Sequence, residues 1–134
     1  EQDRLNSGIE RCYEHWRQGG ATSFHEYWDS NRSRSHNHPM FGAPVAYFFE
    51  YLLGIKQEKD SAGYEAVTIA PMAVEKFGYM RGSMKVPKGE IAVSYEKVDD
   101  KVKFDIAIPA DIQAKFTYKN HEMILHEGKN TFII

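Results

Sequence analysis

From Tyr64 onward, the apolar residues of this chain recur at every second position, in short runs separated by turn-like sequences. Phe104 and Ile106, for example, flank Asp105, which points one set of side chains inward and the other outward. Seven such runs are present, at residues 67–69, 79–84, 91–95, 102–108, 114–118, 123–125 and 131–134. Seven or eight short strands at this spacing predict an antiparallel β-sandwich.

The preceding part of the chain follows a helical period instead. Apolar residues at positions i, i+3, i+4 and i+7 predict a helix over residues 7–18. A second helix is predicted to begin at Pro44 and to end at Gly54, with apolar residues nearly all round, which predicts burial on several sides. We therefore expect an α+β fold with a helical segment (1–55), a polar linker (56–63) and the β-sandwich (64–134).

Charge and composition exclude several classes of protein. The 134 residues include 17 basic and 19 acidic side chains, a net charge of −2, which gives no electrostatic reason to expect nucleic acid or an anionic membrane as partner. No apolar run is long enough to span a membrane. The single Cys12 rules out an intrachain disulfide and is compatible with a secreted, periplasmic or cytoplasmic location. The chain begins without Met or a signal-peptide pattern, so we interpret its start as an internal cut in a longer protein.

Two polar stretches concentrate the residues that could carry chemistry. The first is G-G-A-T-S-F-H-E-Y-W-D at residues 19–29, and the second is S-H-N-H-P-M-F-G at residues 35–42. Together they bring the carboxylate of Glu26, several aromatic rings and three histidines into a region without helical or strand periodicity. Such a loop is a candidate site, while the β region is expected to serve as scaffold.

The order of these motifs resembles a known family. G-A-T-S-F-H-E-Y-W-D, N-H-P-M-F-G-A-P, Y-L-L-G-I and G-Y-E-A-V-T-I-A-P are similar to the C-terminal part of bacterial α-L-rhamnosidases of glycoside hydrolase family 78. The resemblance covers residues 19–71 by motif and residues 78–134 by strand pattern. It implies the end of an (α/α)6 catalytic barrel followed by a β-sandwich.

The resemblance also implies roles for particular residues. Glu26 is the expected general base, and His38 is expected to lie beside the sugar. His25 stands where the family more often has an aromatic residue, commonly Trp, and we include it with Trp28 among the substrate-binding candidates. The general acid and an Asp-rich substrate loop of the family lie upstream and are absent from this chain. This interpretation requires no cofactor and no metal.

Inverting hydrolysis needs two carboxyl groups, of which one protonates the leaving oxygen and the other activates water. With only Glu26 available, we expect the chain alone to be inactive and the longer protein to remove terminal rhamnose from rhamnose-containing glycosides. On residue type alone, Glu26 is also compatible with a solvated loop carboxylate, and Trp28 with core packing. Asp29 could form an ion pair with Arg32 or Arg34 that fixes the loop, although surface ion pairs contribute only about 0–1 kcal/mol.

Three other interpretations remain open at this point. The chain could be a carbohydrate-binding or structural β-sandwich module with an aromatic platform on a sheet. His25, His36 and His38 could bind zinc, although an H-x-H pair in a loop is common. If a barrel has been cut away, the apolar faces of the remaining helices should drive self-association through Trp16, Phe48 or Tyr51.

Overall fold

The computed structural model describes residues 2–27, 34–72 and 74–134. These residues form two compact units, Glu1–Ala46 and Tyr47–Ile134. The helical elements are α1 (Gln2–Gln18), a 3-10 turn (Pro39–Gly42), α2 (Ala43–Tyr47), a π-helical turn (Phe48–Leu52) and α3 (Val74–Phe77). The strands are β1 (Ile55–Gln57), β2 (Ala66–Ile69), β3 (Tyr79–Val86), β4 (Gly89–Val98), β5 (Lys101–Ile108), β6 (Gln113–Tyr118), β7 (His121–Leu125) and β8 (Gly128–Ile133).

The eight strands form two four-stranded sheets, which confirms the predicted sandwich. The first sheet has the order β1-β2-β6-β7 and the second β3-β4-β5-β8. All neighbouring strands are antiparallel except β2 and β6, which run parallel. A parallel pair needs a long connection, and here residues 70–112 supply it by building three strands of the second sheet before the chain returns.

The core lies between the two sheets, because the inward residues of both are buried. Phe104 of β5 has no exposed surface, and its ring centroid lies 4.8 Å from that of Phe116 and 5.2 Å from that of Tyr118, both on β6. Phe132 of β8 adds a stacked ring at 5.6 Å. Aromatic rings at these separations prefer such edge and offset contacts, so the cluster ties the two sheets together.

The seven predicted runs coincide with β2 to β8, but the sequence pattern did not reveal β1. This strand has three residues, of which Ile55 is buried and pairs with Ile69. Lys56 and Gln57 continue it into the segment expected as linker. The Gln57 side chain then closes the turn, since its amide donates to the Ser61 carbonyl at 2.9 Å and its oxygen accepts from the Tyr64 N–H at 3.0 Å.

The second helix differs from the expectation of burial on several sides. Val45 and Tyr51 are exposed, and within residues 43–52 only Leu52 is fully buried. The physical reason is that Phe49 is the residue of this segment that packs against the sandwich core, whereas the exposed Tyr51 is not part of that contact. Gly54 ends the segment, as expected, with φ of 78°.

The first helix reaches further than predicted and corrects the expectation for Trp16. It begins at Gln2 rather than near Ser7, and it ends at Gln18 as predicted. Trp16 is only 3% exposed, and therefore it cannot contribute to self-association. Tyr51 is exposed and Phe48 half-buried, so self-association through these two residues stays a prediction. None of the helices in the described residues has the length and apolar character needed to cross a bilayer.

An aromatic sugar-binding platform on the sandwich finds little support. Tyr95, Phe104, Phe116 and Tyr118 point inward and are buried. In the described part of the sandwich, Tyr79 is the aromatic residue with a largely exposed side chain, at 53%. A single ring does not make the extended flat surface that this alternative requires.

Glu75 of the short helix α3 links the two sheets through charge. One carboxylate oxygen accepts from Lys97 of β4 at 2.8 Å, and the other accepts from Lys119 at 2.8 Å and from the Tyr118 hydroxyl at 3.3 Å. The Lys119 ammonium, followed by that of Lys97, lowers the pKa of Glu75 from its ordinary 4.5 to about 2. Glu75 is therefore ionised in the folded protein at pH values where it would be protonated in the unfolded chain.

Because a lowered acid pKa stabilises the fold above the unfolded-state value, this contribution is present above pH 4.5 and is lost as the pH falls toward 2. We expect Glu75→Gln to flatten the decline of melting temperature across this pH range. The measurement is thermal unfolding of both proteins from pH 7 to pH 2. Glu127→Gln removes an exposed carboxylate from the β7–β8 turn and serves as control. Equal flattening by both variants would contradict the assignment.

Candidate functional site

The two polar stretches lie side by side in the structure, within the unit Glu1–Ala46. The Glu26 N–H donates to the Ser35 carbonyl at 2.8 Å, and the His38 N–H donates to the Phe24 carbonyl at 2.7 Å. The Ser23 hydroxyl donates to the His36 carbonyl. Residue 26 thus pairs with residue 35, and residue 24 pairs with residue 38. Residues 23–27 and 34–38 are therefore two antiparallel segments, which carry Glu26 and His38 side by side.

The Glu26 carboxylate is held by two groups of the opposite segment. One oxygen accepts from the Ser35 N–H at 3.3 Å, and the other lies 3.8 Å from a guanidinium nitrogen of Arg34. The side chain is 29% exposed, and the Arg34 side chain 59%. A carboxylate offers about four acceptor positions, so positions remain for a water molecule that donates a proton.

The histidines are arranged as a stack rather than as a ligand set. The rings of His25 and His36 are nearly parallel, at 13°, with centroids 4.2 Å apart. His25 is buried, at 8% exposure, and its Nδ1 has no hydrogen-bond partner among the described residues. No group of three or more His, Cys, Asp or Glu side chains able to hold a metal ion occurs in the part of the chain described, so zinc binding by His25, His36 and His38 lacks support there.

Trp16 of α1 packs against the segment of residues 23–27. Its indole N–H donates to the Tyr27 carbonyl at 3.1 Å, and its ring lies 6.0 Å from Phe24 and 6.1 Å from His25. The guanidinium of Arg34 covers the Tyr27 ring at 5.4 Å. His25 and Tyr27, the residues on either side of Glu26, are therefore held by contacts with Trp16. These contacts limit the positions that the Glu26 carboxylate can take.

Among the predicted site residues, the structure brings Glu26 and His38 onto paired segments and places His25 beneath His36. Trp28, and the pair of Asp29 with Arg32, lie outside the described residues. The sequence did not reveal that Arg34 contacts Glu26; it suggested Asp29 as partner. No periodic signal could have shown this contact, because it depends on how the loop returns toward residue 26.

Comparison with known proteins decides the family. The family model described as bacterial alpha-L-rhamnosidase C-terminal domain matches residues 54–130. The chain belongs to the bacterial α-L-rhamnosidase C-terminal domain family. A second model, described as bacterial alpha-L-rhamnosidase 6 hairpin glycosidase domain, matches residues 4–52 of this rhamnosidase-family chain, the part that holds Glu26 and His38.

Sequence relatives of the rhamnosidase-family chain carry the same name. It is 27% identical over 121 residues to an alpha-L-rhamnosidase of Alteromonas sp. (strain LOR), which covers 90% of this chain and 13% of that protein. It is 30% identical over 91 residues to an alpha-L-rhamnosidase of Formosa agariphila, which covers 68% of this chain and 10% of that protein. The chain thus spans about an eighth or less of the length of these relatives.

Solved structures show the same fold. An alpha-L-rhamnosidase from Dictyoglumus thermophilum superposes with a TM-score of 0.72 at 19% identity, covering 89% of this chain and 17% of that one. The Streptomyces avermitilis alpha-L-rhamnosidase complexed with L-rhamnose gives 0.74 at 17% identity, covering 87% and 14%. Because both structures are less than 20% identical to this rhamnosidase-family chain, the similarity shows a shared fold.

Proposed function

We propose that this chain is the C-terminal part of an inverting α-L-rhamnosidase that removes terminal rhamnose from glycosides. The observation that carries the proposal is the held, partly exposed carboxylate of Glu26 beside the His38 segment. The family membership and the names of the relatives support the substrate class. The division into a barrel end (1–55), a linker (56–63) and a sandwich (64–134) belongs to the same proposal.

Glu26 would act as the general base. Its carboxylate accepts a proton from a water molecule while the oxygen of that water attacks the anomeric carbon. The bond from this carbon to the leaving oxygen breaks, and that oxygen takes a proton from a carboxylic acid on the opposite side of the sugar. The Ser35 N–H and Arg34 orient the Glu26 carboxylate, and orientation of the reacting groups lowers the barrier.

The other predicted residues would hold the sugar. His38 would hydrogen-bond a sugar hydroxyl, and Trp28 would stack on the ring. His25 would not contact the sugar itself, because its ring is buried and stacks on that of His36. It would hold the loop segments in place. The acid would come from the catalytic barrel upstream in the longer protein. One carboxylate cannot serve as both acid and base, so the 134-residue chain should not hydrolyse rhamnosides by itself.

The test is the Glu26→Ala variant of the longer protein with a chromogenic α-L-rhamnoside. We expect kcat to fall by at least about a hundredfold, because general-base catalysis contributes roughly 10²–10⁴-fold. Azide, which needs no deprotonation and fits the space left by the carboxylate, should restore turnover and give the β-linked rhamnosyl azide. The 134-residue chain without the upstream barrel should show no turnover.

Glu50→Ala is the matched control, since Glu50 is an exposed carboxylate of the π-helical turn and should retain full activity. The first sugar formed by the unmodified protein should be β-L-rhamnose, as seen by NMR before mutarotation. Full activity of the Glu26→Ala variant would overturn the role of Glu26. An α-configured first product would overturn inversion.

A further inference from the structure

The outer face of the second sheet carries a depression that has no part in the chemistry proposed above. It has a volume of about 520 Å³ and lies over β3, β4, β5 and β8. Its floor consists of small side chains, chiefly Ala92, Ser94 and Ala107, which are half-buried although they point away from the core. Longer side chains rise around this floor and make the surface concave.

The strand register sets out the charged groups of this depression. Arg81, Ser94, Asp105 and Thr131 lie opposite one another in one row across the four strands. In the next row, Lys129 of β8 lies opposite Ala107. Neighbouring strands are about 4.8 Å apart, so Arg81 and Asp105 lie about 10 Å apart with the Ser94 hydroxyl between them.

Asp105 is ionised and firmly held at the β8 side. One of its oxygens accepts from the Thr131 hydroxyl at 2.6 Å and lies 3.4 Å from the Lys129 ammonium, while the other lies 3.2 Å from that of Lys103. The Thr131 hydroxyl, followed by Lys103 and Lys129, lowers the pKa of Asp105 to about 2. Lys103 lies opposite Glu96 of β4 in the strand register, so Lys129 is the cation that this edge adds to the depression.

Arg81 supplies a further cation at the opposite edge of the depression. No ion pair of Arg81 is present among the described residues, and its side chain is exposed. The lining of the depression thus has two cations, Arg81 and Lys129, and the carboxylate of Asp105, on a chain whose net charge is −2. Charge of this kind selects an anionic partner.

We propose that this depression binds a carboxylated polysaccharide, with sugar carboxylates at Arg81 and Lys129 and sugar hydroxyls on Asp105 and Ser94. Guanidinium and ammonium groups form charge-assisted hydrogen bonds with carboxylates. Thr131, Lys129 and Lys103 occupy three of the about four acceptor positions of Asp105, so one remains, and this position and the Ser94 oxygen suit hydroxyl donors. A nucleic acid fits less well, because its closely spaced phosphates would meet Asp105 between the two cations.

Affinity electrophoresis of the 134-residue chain in gels containing polygalacturonate tests the proposal. We expect retardation that disappears when the polysaccharide is replaced by its methyl ester. Arg81→Gln and Lys129→Gln should each weaken binding by at least about tenfold, since each removes a charge-assisted bond. Ala107→Leu, which fills the floor without changing charge, should weaken binding to a similar extent.

Lys59→Gln is the control, because Lys59 is an exposed cation in the turn after β1 and lies away from the outer sheet face. It should bind like the unmodified chain, and circular dichroism should show that all variants fold. Absence of retardation, or equal weakening by Lys59→Gln, would overturn the proposal in favour of simple ion exchange. So would a dimer that forms through this face and is abolished by Ala107→Leu. Binding is measured without turnover, so failure here leaves the proposal for Glu26 untouched.

Discussion

Replacing Gly54 by alanine should prevent the sandwich from folding stably. Gly54 has φ of 78°, and a Cβ atom there would overlap the carbonyl carbon of Ala70 and the nitrogen of Pro71. These are main-chain atoms, and the Gly54 carbonyl accepts a hydrogen bond from the Ala70 N–H at 2.8 Å. The two segments therefore cannot move apart without losing this bond. The change should lower the free energy of unfolding by at least about 3 kcal/mol, as large values follow from overpacking and backbone strain.

Denaturant unfolding of the 134-residue chain, followed by circular dichroism, measures this loss. Gly128→Ala is the matched control, because Gly128 has φ of 83° but nothing lies within 4 Å of the added carbon. It should cost only about 1–2 kcal/mol, the penalty for a left-handed alanine. If both variants lose the same stability, the close approach of residues 54 and 70 is not what requires glycine.

Phe104→Ala should be the most damaging substitution in the core. Phe104 is fully buried and touches aromatic rings of both sheets, so its removal leaves a cavity at the seam between them. Truncation of a buried phenylalanine costs about 3–5 kcal/mol, from the lost transfer free energy and the unfilled volume. We expect the unfolding midpoint in urea to fall accordingly, with the slope unchanged if the two sheets still unfold together.

Ile124→Ala provides the comparison, because Ile124 of β7 is 71% exposed and buries little apolar surface. It should change the free energy of unfolding by no more than about 0.5 kcal/mol. Phe104→Leu should fall between the two, as it keeps part of the volume. A small effect of Phe104→Ala would mean that the neighbouring rings close the gap.

Much of the sandwich could be predicted because inward and outward residues alternate within each strand. β1 could not, since its three residues include one buried side chain, Ile55, and show no alternation of their own. The parallel pairing of β2 with β6 was also hidden, because local periodicity carries no information on which strand becomes a neighbour. The 3-10 and π turns that flank α2 depend on which carbonyl each N–H reaches, and apolar spacing does not specify this.

In the candidate site, the family motifs predicted that Glu26 and His38 both belong to the sugar-binding loops, and these roles stay predictions. They could not show that Arg34 and the Ser35 N–H hold the Glu26 carboxylate, since these contacts arise from the path of the returning loop. The stacking of His25 on His36 was likewise out of reach. Histidines in a loop suggest metal ligands or residues that contact a sugar. The packing of the buried His25 ring against Trp16 shows instead that this histidine helps to hold the loop.

The return of the chain from β5 to pair with β2 makes the sandwich indivisible along its length. β2 and β6 belong to one sheet, yet the residues between them build most of the other, so no single break separates the sheets into two self-sufficient pieces. A gene rearrangement that moves residues 55–134 as a block keeps both sheets, whereas one that separates β2 from β6 breaks the first sheet in the middle. We therefore expect residues 55–134 to be gained or lost in evolution only as a complete module.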